Sequence, residues 1–352
     1  MRFPEFTDDW VKYKISNICK IATGNKNTQD KEDDGLYPFY VRSQNVERIN
    51  SWTFDGEAIL TAGDGVGVGK VFHYSLGKIG VHQRVYILSD FNCNGKFLYS
   101  YFSSRFYNRV KRMSAKNSVD SVRMEMIADM QISIPKEREQ IKIGDLLSLL
   151  DQRIATQNKI IEDLKKFKVA ISNKLFELSN QVEYKISDIA QIGRGRVIST
   201  LEISKQECPT YPVYSSQTSN NGIMGYLDTY DFEGEYITWT TDGANAGTVF
   251  YRNGKFNCTN VCGVLKVNDN IDAYYLSIVL QSATAKYVST NLANPKLMNN
   301  TISSIRVNLP SLSEQRKWSS ALRKIDAKIE NEILASALLC KQKQYLLQQM
   351  FI

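Results

Sequence analysis

Tyr13-Lys14-Ile15-Ser16-Asn17-Ile18, near the start of the chain, returns 171 residues later as Tyr184-Lys185-Ile186-Ser187-Asp188-Ile189. Ile21 and Gly24 follow the first copy, Ile192 and Gly195 the second. Tyr37-Pro38-Phe39-Tyr40 returns as Tyr211-Pro212-Val213-Tyr214, and Phe54-Asp55-Gly56-Glu57 as Phe232-Glu233-Gly234-Glu235. Asp64-Gly65 is matched by Asp242-Gly243, Gly69 by Gly247, and Val71-Phe72 by Val249-Phe250. Pro135-Lys136-Glu137-Arg138-Glu139-Gln140 is echoed by Pro310-Ser311-Leu312-Ser313-Glu314-Gln315. The order never changes, and the offset drifts only between 171 and 178. Solenoid units run about 20–50 residues, so a period this long means a duplicated domain with an appended helix.

Each copy reads as a mixed front and a helical back. Short β-like runs, Glu57–Thr61, Lys78–Leu88, Glu235–Thr240 and Thr248–Tyr251, are broken by Gly, Asn and Asp. After Pro135 and Pro310 a helix is expected, with proline at the boundary and Glu-Gln in the first turns. Apolar residues then fall at Ile143, Leu147, Leu150, Ile154, Ile161, Leu164, Ile171, Leu175 and Leu178. Those steps of three and four make a coiled-coil seam, interrupted by polar Gln157 and Lys168. Leu322, Ile325, Ile329, Leu339, Leu346 and Met350 keep a looser seam in the second copy. A helix of about 40 residues is roughly 60 Å long. Two such helices, each with an apolar stripe, most simply pack on each other.

The 352 residues carry a net charge of +7 and a pI near 8.9, which favours a polyanionic partner. No run of about 18 apolar residues occurs, so no membrane span is expected. The opening MRFPEFTDDW is acidic and aromatic, unlike a secretory leader. Cys19, Cys93, Cys208, Cys258, Cys262 and Cys340 form no CxxC pair, and His73 and His82 complete no usual zinc set. A reducing cytoplasm is the expected compartment, with thiols that bind nothing.

Thr61-Ala62-Gly63-Asp64-Gly65-Val66-Gly67-Val68-Gly69-Lys70 invites a phosphate-loop reading, but the spacing fails. A P-loop ending at Gly69-Lys70 needs Gly at Asp64 and Ser or Thr at Val71. A tight turn between strands, kept in both copies, fits better. Asn294-Pro295-Lys296 lacks the second proline and the aromatic ring of a methyltransferase motif, and neither a GxSxG elbow nor an HExxH pair occurs. An enzyme acting alone is not expected. Ser104-Arg105-Phe106-Tyr107-Asn108-Arg109-Val110-Lys111-Arg112 interleaves cations with aromatics, and Lys116 follows. A polar loop comes after each Tyr-Pro-x-Tyr: Val41-Arg42-Ser43-Gln44-Asn45, then Ser215-Ser216-Gln217-Thr218-Ser219-Asn220-Asn221. Lys and Arg pair with phosphates, while Arg, Asn and Gln offer bidentate groups to base edges. The residues singled out for DNA contact are Arg42, Gln44, Asn45, Arg105, Lys111, Arg112, Lys116, Gln217, Asn220, Asn221, Asn245 and Lys296.

Together these residues resemble the specificity (S) subunit of Type I restriction-modification systems. Arg2-Phe3-Pro4-Glu5-Phe6-Thr7-Asp8-Asp9-Trp10 looks like that family's start, and Leu346-Leu347-Gln348-Gln349-Met350-Phe351 like its end. Ile134-Pro135 to Gln140 and Leu309-Pro310 to Gln315 look like its helix entries. The resemblance implies an α+β fold of two repeated target-recognition domains with curved β-sheets, joined by two long antiparallel coiled-coil helices. The expected divisions are 1–138 and 181–312 for the domains, 139–180 for the central helix and 313–352 for the distal helix. Each domain would read half of an interrupted site in double-stranded DNA, and the helices would set the spacer and dock two methyltransferase subunits. Restriction subunits would join through the complex. No cofactor is expected here, because S-adenosylmethionine, ATP and Mg²⁺ belong to the partners.

The copies differ where reading loops belong: Val41–Asn50 against Ser215–Gly225, and Phe102–Ser121 against Ala283–Thr301. Two unlike half-sites are the natural consequence. Two other readings stay open at this point. A nucleotide-binding enzyme would use the glycine-rich turn, and a coiled-coil scaffold would have no DNA role.

Overall fold

The computed structural model describes residues 2–65, 67–113, 121–175, 180–289 and 294–351. They form two compact units, Met1–Lys159 with Ile333–Ile352, and Ile160–Glu332. Each is built the same way around a six-stranded sheet.

In unit 1 the strand order is Lys20–Thr23, Val85–Ser89, Phe54–Ala62, Phe72–Val81, Tyr37–Tyr40, Glu47–Ile49. In unit 2 it is Ala190–Arg194, Cys262–Val267, Phe232–Thr240, Val249–Cys258, Tyr211–Tyr214, Ile223–Leu227. Strand for strand the orders correspond. Every neighbouring pair is antiparallel except the Tyr-Pro-x-Tyr strand, which runs parallel to its hairpin neighbour in both units. A two-stranded sheet accompanies each, Val11–Lys14 with Gln131–Ile134 and Val182–Lys185 with Arg306–Leu309.

The central hairpins explain the repeated glycines. Gly56 lies opposite Gly77, and Gly234 opposite Gly254. All four have positive φ, between 84° and 143°, where a side chain would be strained. Facing glycines of this kind let a sheet bend sharply. They also fix the register between copies, and it differs from the sequence likeness. The strands align Tyr74 with Tyr251, and each phenol donates to the carboxylate of Glu57 or Glu235. Matching Val71-Phe72 to Val249-Phe250 is therefore one residue out of step. The run Lys78–Leu88 is not one strand either, because it turns at His82–Arg84 between Phe72–Val81 and Val85–Ser89.

The inner strands are largely buried on both faces and mainly apolar, as covered strands require. Ile59 packs beneath the helix Gly95–Met113, while Ala58 and Leu60 join Ile79, Val81, Val85 and Ile87 on the other side. Phe97, Leu98, Phe102, Phe106 and Val110 of that helix are wholly buried. In unit 2, Ile237 and Trp239 pack beneath Ala273–Ala283, and Phe256, Cys258, Cys262 and Val264 form the opposite layer.

The two long helices are Glu137–Lys174 and Leu312–Met350. Each enters from a proline through a buried glutamine. Gln140 Nε2 donates to the Pro135 carbonyl at 2.8 Å, and its Oε1 accepts from the Asn94 N–H at 2.8 Å. Gln315 does the same with Pro310 at 2.8 Å and Asp272 at 3.0 Å. Asn94 and Asp272 in turn accept from the N–H groups of Phe97 and Tyr275 at the starts of the packed helices. Within unit 1 the helices run antiparallel: Asp151 pairs with Lys343, and Asn158 with Ser336, seven residues on along one helix and seven back along the other. Within unit 2, Lys168 pairs with Asp326. The seam residues Ile143, Leu147, Leu150, Ile161, Leu175, Leu322, Ile329 and Met350 are buried, and Leu178 lies outside the described residues.

Candidate nucleic-acid interface

The polar loop of unit 1 hangs from the strand Tyr37–Tyr40, whose Tyr40 hydroxyl donates to Ser75 Oγ at 3.1 Å. Beyond it Arg42, Gln44 and Asn45 are exposed. Arg42 Nη1 donates to Asp64 Oδ1 at 2.9 Å, and Arg84 approaches the other Asp64 oxygen at 3.7 Å. His73 Nε2 stands 3.1 Å from the Ser43 carbonyl and holds the loop from below. Asp64 thus gathers two cations from separate loops into one patch. A shallow cavity of about 420 Å³ adjoins it, lined by Thr23, Asp64, Gln83, Arg84, Arg123 and Glu125 among others.

The loop between Phe54–Ala62 and Phe72–Val81 is longer than a tight turn. Its backbone pairs with the segment after the helix, through Val122 N–H to the Gly63 carbonyl at 2.7 Å. Val66 and Lys116 lie outside the described residues. Unit 2 repeats the arrangement with different side chains. Gly243 N–H donates to the Pro295 carbonyl at 3.0 Å, Leu297 N–H to the Thr241 carbonyl at 2.9 Å, and Lys296 pairs with Asp242 at 3.6 Å. Asn245 is exposed in the same loop as Asp242, the partner of Lys296.

In the other loop of unit 2, Asn220 and Asn221 are exposed, while Gln217 turns inward to donate to the Ile223 carbonyl. Asn220, Asn221 and Gly222 have φ of 49°, 53° and 81°. Arg252, which the sequence reading passed over, is 4% exposed beneath them.

The helix Gly95–Met113 divides its residues by face. Phe102 and Phe106 stack at 4.5 Å in the core, so these rings are not offered to bases. Tyr107 is half-buried with Lys70 over its ring at 4.9 Å, and Arg109 donates to the Met126 carbonyl at 2.8 Å. Lys111 and Arg112 are exposed. Arg105 is exposed too, but it lines a groove with Asn108, Gln344, Leu347 and Gln348, none of them from the polar loops. Sequence reasoning also missed Asp64, Gln83 and Arg84. The repeated Asp-Gly was visible, but nothing in it showed that Asp64 holds Arg42. Among the described residues no group of His, Cys, Asp and Glu is placed to hold a metal ion, and no helix is long and apolar enough to cross a membrane.

Two mixed-sheet domains of one topology, each presenting polar and cationic loops from the same strand ends, define a duplicated recognition protein. The model of the Type I restriction modification DNA specificity domain matches twice, over residues 7–166 and 179–338, and the chain belongs to that family. The specificity subunit of the Type I restriction enzyme MpnII, from Mycoplasma pneumoniae, is 43% identical over 140 residues, 40% of this chain and 42% of that protein. A shorter Mycoplasma pneumoniae protein, provisionally named as a type I specificity subunit N-terminus, is 51% identical over 40% of this chain and 74% of its own length. The solved S subunit of a Type I restriction-modification system from M. genitalium has the same fold, with a TM-score of 0.76 at 18% identity, covering 99% of this chain and 97% of that one.

Proposed function

We propose that this chain is the specificity subunit of a Type I restriction-modification complex and reads a bipartite, interrupted site in double-stranded DNA. The observation that carries the reading is the pair of sheets with one strand order but unlike loops at equivalent strand ends. One scaffold used twice with different loop chemistry suits two different half-sites. The globular parts 1–138 and 181–312 are the reading domains, and the long helices carry the methyltransferase subunits, through which restriction subunits assemble. Cationic Arg42, Arg84, Lys111, Arg112 and Lys296 suit phosphates. Gln44, Asn45, Asn220, Asn221 and Asn245 carry amides that can read base edges.

Catalysis is assigned to the partners, which bind S-adenosylmethionine, ATP and Mg²⁺, in the cytoplasm. The glycine-rich loop serves the sheet instead: its Gly63 carbonyl is engaged by Val122. Methylation mapping in cells that carry the chain with its methyltransferase partner tests the reading. A split motif with an unread gap, lost on deleting the chain, is expected. Methylation unchanged by the deletion would remove the recognition role.

A further inference from the structure

We propose that Arg252 is the positioning residue of the reading loop in unit 2, fixing the specificity of one half-site through Asn220 and Asn221. The inference rests on the recognition role proposed above and adds the device that shapes one of its two sites.

Arg252 sits on the strand Val249–Cys258 with its guanidinium sandwiched, 3.6 Å from the ring centre of Tyr214 and 4.4 Å from that of Phe250. Nε donates to Thr238 Oγ1 at 3.2 Å, and Nη2 donates to the Asn221 carbonyl at 2.9 Å. Among the described residues no carboxylate pairs with it. A buried cation without a counter-ion is costly, and an apolar side chain would fill the space more cheaply. What an apolar side chain could not do is hold the Asn221 carbonyl.

That carbonyl belongs to a backbone that needs holding. Asn220 and Asn221 are consecutive left-handed non-glycine residues, a run whose cost its surroundings must offset, and Gly222 follows with positive φ. Ser215 N–H donates to the Gly222 carbonyl at 3.0 Å, which closes the loop, and Arg252 clamps it from beneath. A Cβ at Gly222 would lie 3.1 Å from Arg252 Nη2, so loop and guanidinium are in close contact. The two asparagine side chains are thereby presented outward on a preformed backbone. Unit 1 uses other chemistry. The register set by the facing glycines puts Ser75 where unit 2 has Arg252. His73 and Asp64 secure the loop there. The anchor is therefore as unit-specific as the loop it supports.

The test uses the full chain assembled with its methyltransferase partner, reading base preference at both halves of the motif. If wild type shows no split motif, the recognition reading itself has failed. Given a split motif, Arg252→Met is expected to relax discrimination about tenfold or more in one half and leave the other half unchanged. Arg252→Lys, which keeps the charge but loses the planar fork that spans the two acceptors, should fall between. Asn220→Ala with Asn221→Ala should relax the same positions, and adding Arg252→Met should change them no further. If Arg252→Met fails to fold, Thr238→Val keeps the guanidinium, removes one acceptor and decides the matter by a smaller loss in that same half. Unchanged preference in folded variants, equal loss in both halves, or full additivity with the asparagine changes would overturn the proposal.

Discussion

Gln140 and Gln315 show how single side chains join the parts of this fold. Each is buried, at 6% and 2% exposure, and each uses both ends of its amide. The donor end holds the carbonyl of the proline that starts the long helix. The acceptor end holds the backbone N–H of the residue that caps the sheet-packed helix. Replacing either with leucine would bury an N–H and a carbonyl without partners, each costing about 1–3 kcal/mol. Gln140→Leu and Gln315→Leu should therefore lower unfolding free energy by about 2–4 kcal/mol in urea titrations, each in its own unit. A loss below half a kcal/mol would show that the amide bonds do not matter. Asp64 acts in a different way, by pairing with two exposed cations. Asp64→Asn should free Arg42 and Arg84, steepen the salt dependence of DNA binding by about one phosphate contact, and reduce discrimination at the half-site read by unit 1. The same salt slope and the same motif in the variant would rule out that role.

At the scale of the element, the long helices hold a heptad rhythm that apolar residues alone do not show. In the distal helix one stripe of buried or half-buried positions runs Leu322, Ile325, Ile329, Glu332, Ser336, Leu339, Lys343, Leu346 and Met350, in unbroken steps of three and four. The seam looked loose in sequence because Glu332, Ser336 and Lys343 occupy it, and counting apolar residues skips them. Structure supplies their partners: Ser336 donates to Asn158 at 2.8 Å and Lys343 reaches Asp151. Lys168, which interrupted the first seam, meets Asp326, whose other contact is the Tyr274 hydroxyl. Polar seam positions of this kind fix register at some cost in stability. The repeat and the helix entries were legible because short motifs recur in fixed order. Side-chain facing was not. Phe106 and Tyr107 lie between Arg105 and Arg109 in sequence, yet the helix turns Phe106 into the core and leaves Tyr107 half-buried. Arg252 carried no signal at all, since one arginine in a strand reads as surface. Leu147 is wholly buried in the seam. Leu147→Asp should cost about 3–5 kcal/mol and expose unit 1 to hydrogen exchange, whereas Leu149→Asp, at a position 58% exposed, should cost less than about half a kcal/mol. Equal effects at the two positions would contradict the seam.

Across the whole molecule the two units share topology but not titration behaviour. The chain has 2 histidines, His73 and His82, and both stand in unit 1. His82 is 4% exposed, and its Nδ1 accepts the Arg84 N–H at 3.0 Å, which requires that nitrogen to carry no proton. Nε2 lies 3.3 Å from Thr28 Oγ1 and bears the hydrogen of the neutral ring. Burial, then the nearby Arg42 charge, holds the His82 pKa below its ordinary 6.5, against a smaller opposing pull from Asp64. Burial lowers His73 as well. A histidine whose folded-state pKa is depressed binds fewer protons folded than unfolded. Its contribution is complete above about pH 6.5 and is lost progressively as pH falls below it. Acidification from about pH 7.5 to 5.5, above the carboxylate range, should therefore destabilise unit 1 while unit 2 changes little. Because His82 orients the backbone of Arg84, discrimination at the half-site read by unit 1 should weaken over the same window. Hydrogen exchange followed separately in the two units at each pH checks the first part, and base preference at each half-site checks the second. His82→Gln should flatten most of the response in unit 1. Matching pH responses in the two units, or a variant that keeps the full response, would show that these rings do not set the acid sensitivity of the fold.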